Sequence, residues 1–467
     1  MLSEADLRIN PPVYEWTGRT ISLLEKVLKA NIKLHHARGQ LEAGEIFLFN
    51  HFARFETFIP QYLIYRETGA LSRSVAGAEF FAGGDAFSRY LLNLGAVPND
   101  QPGLLAFLAA EVLRGRKIIL FPEGGMVKDR RVVDRRGHYG IYSRSAHERR
   151  KHHTGAAVVA QAVEAFRNTV RRAAEEGRSD RLEAWSEALD LDGPEALLEA
   201  ARRPTLIVPA NITFYPIRTE GNWLQRGADL FSRGLSPRLA EEFLIEGNIL
   251  LRDTDMDIRL GQPIRPADFW GRLDRWLVAR IGREVGSLGG FLASQTETAR
   301  WDERLWNRRA RRQALRIRDA YMVEMYEGVS VNLSHLASRL VFQEMERGVD
   351  AVEAGEFCRA LYLAVKGVQE QTAVHLHRSL RNPESYAGLL RATCQGLEQL
   401  LKTAEDLGLV TREDGWYRFL PRLREEHDFD HVRIGNPLAV YANEIAPLRA
   451  ATRAVDLALK EAAGISD

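Results

Sequence analysis

Residues Ile46-Phe47-Leu48-Phe49-Asn50-His51 decide the fold. Four consecutive apolar residues lack the alternation of a half-buried strand and are too few for a helix. They fit a strand covered on both faces. The polar pair Asn50-His51 ends the run, and a helical pattern follows from Phe55 to Glu67. The same order recurs downstream. Leu104–Leu113 is helical in pattern, Lys117–Phe121 is a second buried strand, and Pro122-Glu123-Gly124-Gly125 stops it. Thr205–Phe214 makes a third strand and 248–260 holds a fourth. Helices alternating with apolar strands predict an α/β fold, a mixed sheet flanked by helices.

Around this core, residues 13–30 have helical spacing, and 154–203 reads as a helical insertion broken near 177–180 and 191–194. Beyond about residue 270 strands nearly vanish. The expected organisation is therefore an α/β domain over 1–270 and a mostly helical domain over 271–467. Near the end, a helix over 396–408 leads into a hairpin turning at Asp414-Gly415, which predicts a winged-helix-like element. Its helix holds one Lys against three carboxylates, so a structural role is expected rather than nucleic-acid binding.

The chain has 467 residues, with 64 Lys and Arg against 63 Asp and Glu, a formal charge of +1. That balance excludes a globally basic nucleic-acid coat and an acidic tail protein. Two cysteines, Cys358 and Cys394, exclude a disulfide framework and fit a reducing compartment. The opening MLSEADLRINPP has no basic segment before an apolar run, so no secretory signal is expected. No apolar stretch approaches the ~20 residues of a spanning helix, so membrane contact should be peripheral. His35, His36, His375 and His377 lack ligand spacing, and no metal is expected.

Chemistry concentrates in two stretches. His51 leaves a buried strand and Glu56 follows five residues later. Inside a helix such a pair diverges by ~140°. The two meet only if His51 sits at or before the helix N-terminus. There the carboxylate can accept from Nδ1, leaving Nε2 as a general base for a substrate hydroxyl. A capping histidine with an unrelated surface glutamate fits the same spacing. The second stretch is Phe121-Pro122-Glu123-Gly124-Gly125. Pro and Gly end the strand abruptly, and a carboxylate at the tip of an apolar strand is costly unless it meets a polar partner. An ordinary strand-to-loop turn is the plainer alternative.

Together the stretches resemble the glycerolipid acyltransferase family, which includes glycerol-3-phosphate and lysophosphatidate acyltransferases. Its signatures Asn-His-x-x-x-x-Asp and Phe-Pro-Glu-Gly are similar to Asn50-His51 with Glu56 and to Phe121–Gly124. Leu94–Asp100, Ile207–Asn211 and Leu260-Gly261-Gln262-Pro263-Ile264 resemble the second and fourth signatures and the closing Gly-x-Pro-Ile. The resemblance is specific over about 46–264. More loosely, 320–337 is similar to the region that follows the catalytic domain in the long bacterial glycerol-3-phosphate enzymes. Three positions depart from the pattern. Glu56 replaces Asp, as in relatives that acylate glycolipids or lipid A, and Gln101 and Met126 stand where arginines are usual.

The resemblance implies transfer of a fatty acyl group from acyl-CoA or acyl carrier protein to a hydroxyl of glycerol 3-phosphate, without a metal or redox cofactor. It assigns His51 as base and Glu56 as its orienter, with Glu123 and Gly124 shaping the acceptor site. Residues 114–153 hold twelve Lys and Arg against four carboxylates. Lys128, Arg130, Arg131, Lys151 and His152 are therefore candidate phosphate contacts beside the Gly124-Gly125 turn, and Arg54 of the first stretch is a further candidate. Another lipid alcohol as acceptor, or a catalytically idle lipid-binding protein, is the alternative. Residues 301–318 carry seven Arg with Trp301, Leu305 and Trp306. They suit the inner face of an anionic membrane or, equally, a solvated helix packed on its neighbours. The expected partners are the thioester donor, the acceptor and that membrane surface, and the expected location is cytoplasmic and peripheral.

Overall fold

The computed structural model describes residues 6–27, 31–50, 58–124, 131–133, 139–142, 149–216, 255–292, 300–391, 393–425 and 436–465. Its centre is a seven-stranded sheet. The strands in chain order are β1 (Asn31–His35), β2 (Ile46–Phe49), β3 (Ser72–Ala76), β4 (Ala96–Pro98) and β5 (Lys117–Leu120). A small antiparallel sheet of β6 (Arg131–Val133), β7 (Tyr139–Tyr142) and β8 (Arg149–Arg150) intervenes before β9 (Ile207–Tyr215) and β10 (Asp255–Leu260). The order in the main sheet is β1-β10-β9-β2-β5-β3-β4. From β9 to β4 all strands are parallel, β10 is antiparallel to β9, and β1 is parallel to β10. The fold is α/β, with a mixed sheet flanked by helices, as the apolar strands predicted.

The all-apolar sequence of β2 follows from its place. It lies between β5 and β9, with Leu48 paired to Leu120 on one side and to Pro209 on the other. Its alternate side chains enter different cores, because successive residues of a strand point to opposite faces. Ile46 and Leu48 join Leu108, Val163, Phe166 and residues of helix Trp301–Glu327. Phe47 and Phe49 join Leu63 and Ile64 of helix Phe58–Thr68, together with Leu336, Leu361, Tyr441 and Val455 from the C-terminal helices. Each face thus buries sequence from both sides of residue 270, and Trp270 itself is buried.

The insertion forms helices Gly155–Glu175, Ser179–Ala188 and Pro194–Arg202, interrupted at Gly177 and Gly193, both with positive φ. Further on, helices Leu333–Glu346, Ala354–Gln369 and Gln395–Asp406 accompany an antiparallel sheet. Its strands are Ala351–Glu353, Val410–Glu413 and Trp416–Phe419, with the last in the middle. Asp414 and Gly415 make its hairpin turn at φ 49° and 82°, where left-handed backbone is required. Among the described residues no helix is long and apolar enough to cross a membrane.

Candidate functional site

Strand connectivity singles out one place on the sheet. From β2 the chain moves through helix Phe58–Thr68 toward β3 and β4. From β5 it moves the other way, through helix Gly155–Glu175 toward β9, across the opposite face. The carboxyl ends of β2 and β5 are neighbours whose connections run over opposite faces of the sheet, and such a fork opens the crevice where α/β sheets bind ligands. Asn50 ends β2 there, and Phe121-Pro122-Glu123-Gly124 ends β5. The rings of Phe49 and Phe121 lie 6.3 Å apart across the fork.

Asn50 continues the ladder with its side chain. Its Oδ1 accepts from the backbone N–H of Ile212 at 2.6 Å, and its Nδ2 donates to the Ile212 carbonyl at 3.0 Å. The end of β2 is thereby fixed to β9. His51, Arg54 and Glu56 lie outside the described residues, as do Gly125, Lys128 and Arg130. Arg131 opens β6, opposite Tyr142. Lys151 is exposed.

Beside β5 the turn is built tightly. Glu123 is 1% exposed. Tyr326, from the last turn of helix Trp301–Glu327, donates its hydroxyl to Glu123 Oε1. With that proton committed, the Tyr326 oxygen accepts, and His152 Nε2 stands 3.3 Å away. This order requires Nε2–H on His152 and makes a relay His152→Tyr326→Glu123. The Tyr139 ring stacks on Tyr326 at 5.7 Å and 3°. Burial, then the charge of Glu123, pushes the Tyr326 hydroxyl well above its ordinary pKa, so it stays a donor. Burial also pushes Tyr139 up to about 12.

Gly124 has φ 67°, and a Cβ there would meet the His153 ring at 2.2 Å, so glycine serves both backbone and space. The next turn is held by His153 N–H donating to the Pro122 carbonyl at 2.7 Å and Tyr321 donating to the His153 carbonyl at 2.6 Å. Of the sequence-derived candidates, the structure brings Glu123, Gly124 and His152 together. Tyr326, Tyr139, Tyr321 and Asn50 were not singled out as site residues. The helical spacing of Tyr321, Met322, Met325 and Tyr326 was the available signal for a buried stripe there.

A second polar cluster sits farther along the same edge. Asp255 opens β10 opposite Tyr215. Its carboxylate receives His377 Nε2 at 2.9 Å, Arg378 at 2.9 Å, Lys33 at 3.2 Å and Asn31 Nδ2 at 2.8 Å. Burial alone would raise its pKa, but the His377 hydrogen bond and the two cations hold it at about 2. Nearby, burial and the Arg259 guanidinium hold His375 down at about 4. This cluster ties the sheet edge to the C-terminal helices. Among the described residues no group of three or more His, Cys, Asp or Glu is placed to hold a metal ion.

No protein-family model matches this chain, and no curated protein matches it.

Proposed function

We propose that this protein is an acyltransferase that moves a fatty acyl group from acyl-CoA or acyl carrier protein to a hydroxyl of glycerol 3-phosphate, in phospholipid synthesis. One observation carries this reading. The two stretches that resemble acyltransferase signatures lie far apart in the chain, yet they end neighbouring parallel strands at the fork of the sheet. Ligand crevices form there in α/β folds. In this reading His51 takes the proton of the acceptor hydroxyl as its oxygen attacks the thioester carbonyl. Glu56 steadies the resulting imidazolium, and backbone N–H groups hold the oxyanion. The tetrahedral intermediate collapses with loss of the thiolate, which recovers the proton from His51, so the step balances with no further reactant. Glu123 and Gly124 shape the acceptor side. The relay from His152 through Tyr326 keeps the Glu123 turn in position.

A second reading changes only the acceptor, to a lysophospholipid, glycolipid or other lipid alcohol. It is favoured by Gln101 and Met126 standing where the family carries arginines. It is favoured also by the tyrosines and histidine that meet Glu123 among the described residues. We read helices 333–346, 354–369 and 395–406 with their three-stranded sheet as a winged-helix-like element that serves packing. Helix Gln395–Asp406 buries Leu397, Leu400 and Leu401, and its carboxylates Glu398 and Glu405 are engaged by Arg412.

An acceptor panel tests the function. Thioester consumption that depends on glycerol 3-phosphate supports the first reading, and consumption only with another lipid alcohol supports the second. Failure of every donor and acceptor pair rejects both and leaves a lipid-binding protein.

A further inference from the structure

We propose that the outward faces of helices Arg272–Gly282 and Trp301–Glu327 form a docking surface for an anionic lipid bilayer. The longer helix separates its residues cleanly. Asp302, Trp306, Gln313 and Ile317 are buried. Trp301, Arg304, Arg308, Arg311, Arg312 and Leu315 are exposed, and they recur every three or four positions along the opposite stripe. Trp306, which the sequence placed with Trp301 on the basic segment, faces inward and packs on Trp270 at 5.5 Å.

The neighbouring helix widens the surface. Leu273 and Trp276 are 43% and 47% exposed, and Trp301 is 53% exposed. The Trp276 and Trp301 rings lie 6.2 Å apart, and the Arg280 guanidinium covers both, at 5.6 and 5.5 Å. Arg280 is itself held by Asp302 at 2.8 Å, so the indole pair is fixed while still facing solvent. An exposed aromatic patch fixed in this way marks an interaction site.

Charge identifies the partner. Three carboxylates beside this surface are already engaged: Asp302 and Glu284 by Arg300, and Asp274 by Arg309. Among the described residues no ion pair engages Arg272, Arg275, Arg304, Arg308, Arg311 or Arg312. Six unpaired cations thus flank two fixed indoles on a chain of net charge only +1. Indoles settle at the headgroup level of a bilayer and guanidiniums bind lipid phosphates. A nucleic-acid backbone would use the arginines but leave the exposed Leu273 and Leu315 in water. The same helix reaches Tyr326 of the candidate site about 21 Å beyond Arg312, at 1.5 Å per residue. The docking surface is independent of the acyl-transfer reading, because it is tested by binding rather than turnover.

The test is co-sedimentation of the full chain with neutral phosphatidylcholine vesicles and with vesicles holding about one third phosphatidylglycerol. The native protein should bind the anionic vesicles at least about 10-fold more tightly, and added salt should weaken that binding. Combined Arg304→Glu, Arg308→Glu, Arg311→Glu and Arg312→Glu should weaken it by about 100-fold or more. The same four positions changed to Lys keep charge and bulk, and should bind within about 3-fold of native. Trp276→Ser with Trp301→Ser should cost about 10-fold. Binding that survives charge reversal overturns the proposal. Equal binding to neutral vesicles, or tighter binding to duplex RNA at equal phosphate concentration, overturns it as well.

Discussion

At the amino ends of β2 and β5 the buried charges are saturated by strong partners, whereas at the carboxyl ends of the same strands Glu123 meets a tyrosine. Glu45, just before β2, receives both terminal nitrogens of Arg167 at 2.6 and 2.8 Å. Lys117, which opens β5, donates to the carbonyls of Glu42 at 2.7 Å and Gly44 at 2.5 Å. Nearby, fully buried Glu111 of helix Leu104–Leu113 gathers Arg73 of β3 together with Arg114 and Arg116. A charge surrounded by opposite charges and hydrogen bonds is locked in place and has little left to offer a ligand. At the carboxyl ends of β2 and β5 the partners are weaker donors, Asn50, Tyr326 and His152, around a positive-φ glycine, while the charged Asp255 cluster lies farther along that edge. In the proposed acyl-transfer reading the two ends of these strands divide the work, with rigidity supplied at the amino ends and acceptor recognition at the carboxyl ends.

This contrast can be broken by mutation. The largest loss of stability should come from Glu111→Ala, which leaves three buried or half-buried guanidiniums uncompensated. About 3–5 kcal/mol is expected in denaturant unfolding, with turnover per folded molecule unchanged. At the carboxyl edge, Asn50→Ala should cost about 1–3 kcal/mol, because the Ile212 N–H and carbonyl lose their partners in a buried site. Tyr326→Phe should cost less, about 1–2 kcal/mol, while weakening acceptor binding in the acyl-transfer assay. If stability falls and the acceptor dependence does not change, Tyr326 belongs with the rigid edge.

Acid should act on the second cluster. His375 has its folded pKa, about 4, below the ordinary 6.5, so the folded state favours the neutral ring. Its contribution is complete above about pH 6.5 and is lost as pH falls toward 4. For a half-buried ring this amounts to about 1–2 kcal/mol. Asp255, lowered to about 2, adds a second loss as pH falls below about 3.9 toward 2. Thermal melts across this range should flatten between pH 6.5 and 4 in His375→Gln, and an unaltered slope would remove His375 from the account.

Legibility in the sequence tracked how local the cause was. Strands β2, β5, β9 and β10, helix Leu104–Leu113, the broken insertion and the Asp414-Gly415 hairpin were all marked by runs, periodicity or turn residues. Strand β3 was not, because Ser72-Arg73-Ser74 is polar and nevertheless buried. Its partners come from elsewhere: Tyr14 for Ser72, Gln61 for Ser74, and Glu111 with the Leu7 carbonyl for Arg73. Only tertiary contacts make such a segment a strand. Edge strand β1 has no run of its own and is half-buried throughout. At the site, Glu123 and Gly124 were legible from the abrupt stop after β5. The donor that reaches Glu123 was not, because Tyr326 belongs to a helix far downstream.

The most direct test compares thioester consumption by the native protein and by His51→Ala, with palmitoyl- and oleoyl-CoA, each with and without glycerol 3-phosphate. Turnover should require glycerol 3-phosphate and fall by about 10²–10⁴-fold in the variant. Turnover that persists undiminished in His51→Ala would contradict the acyl-transfer reading.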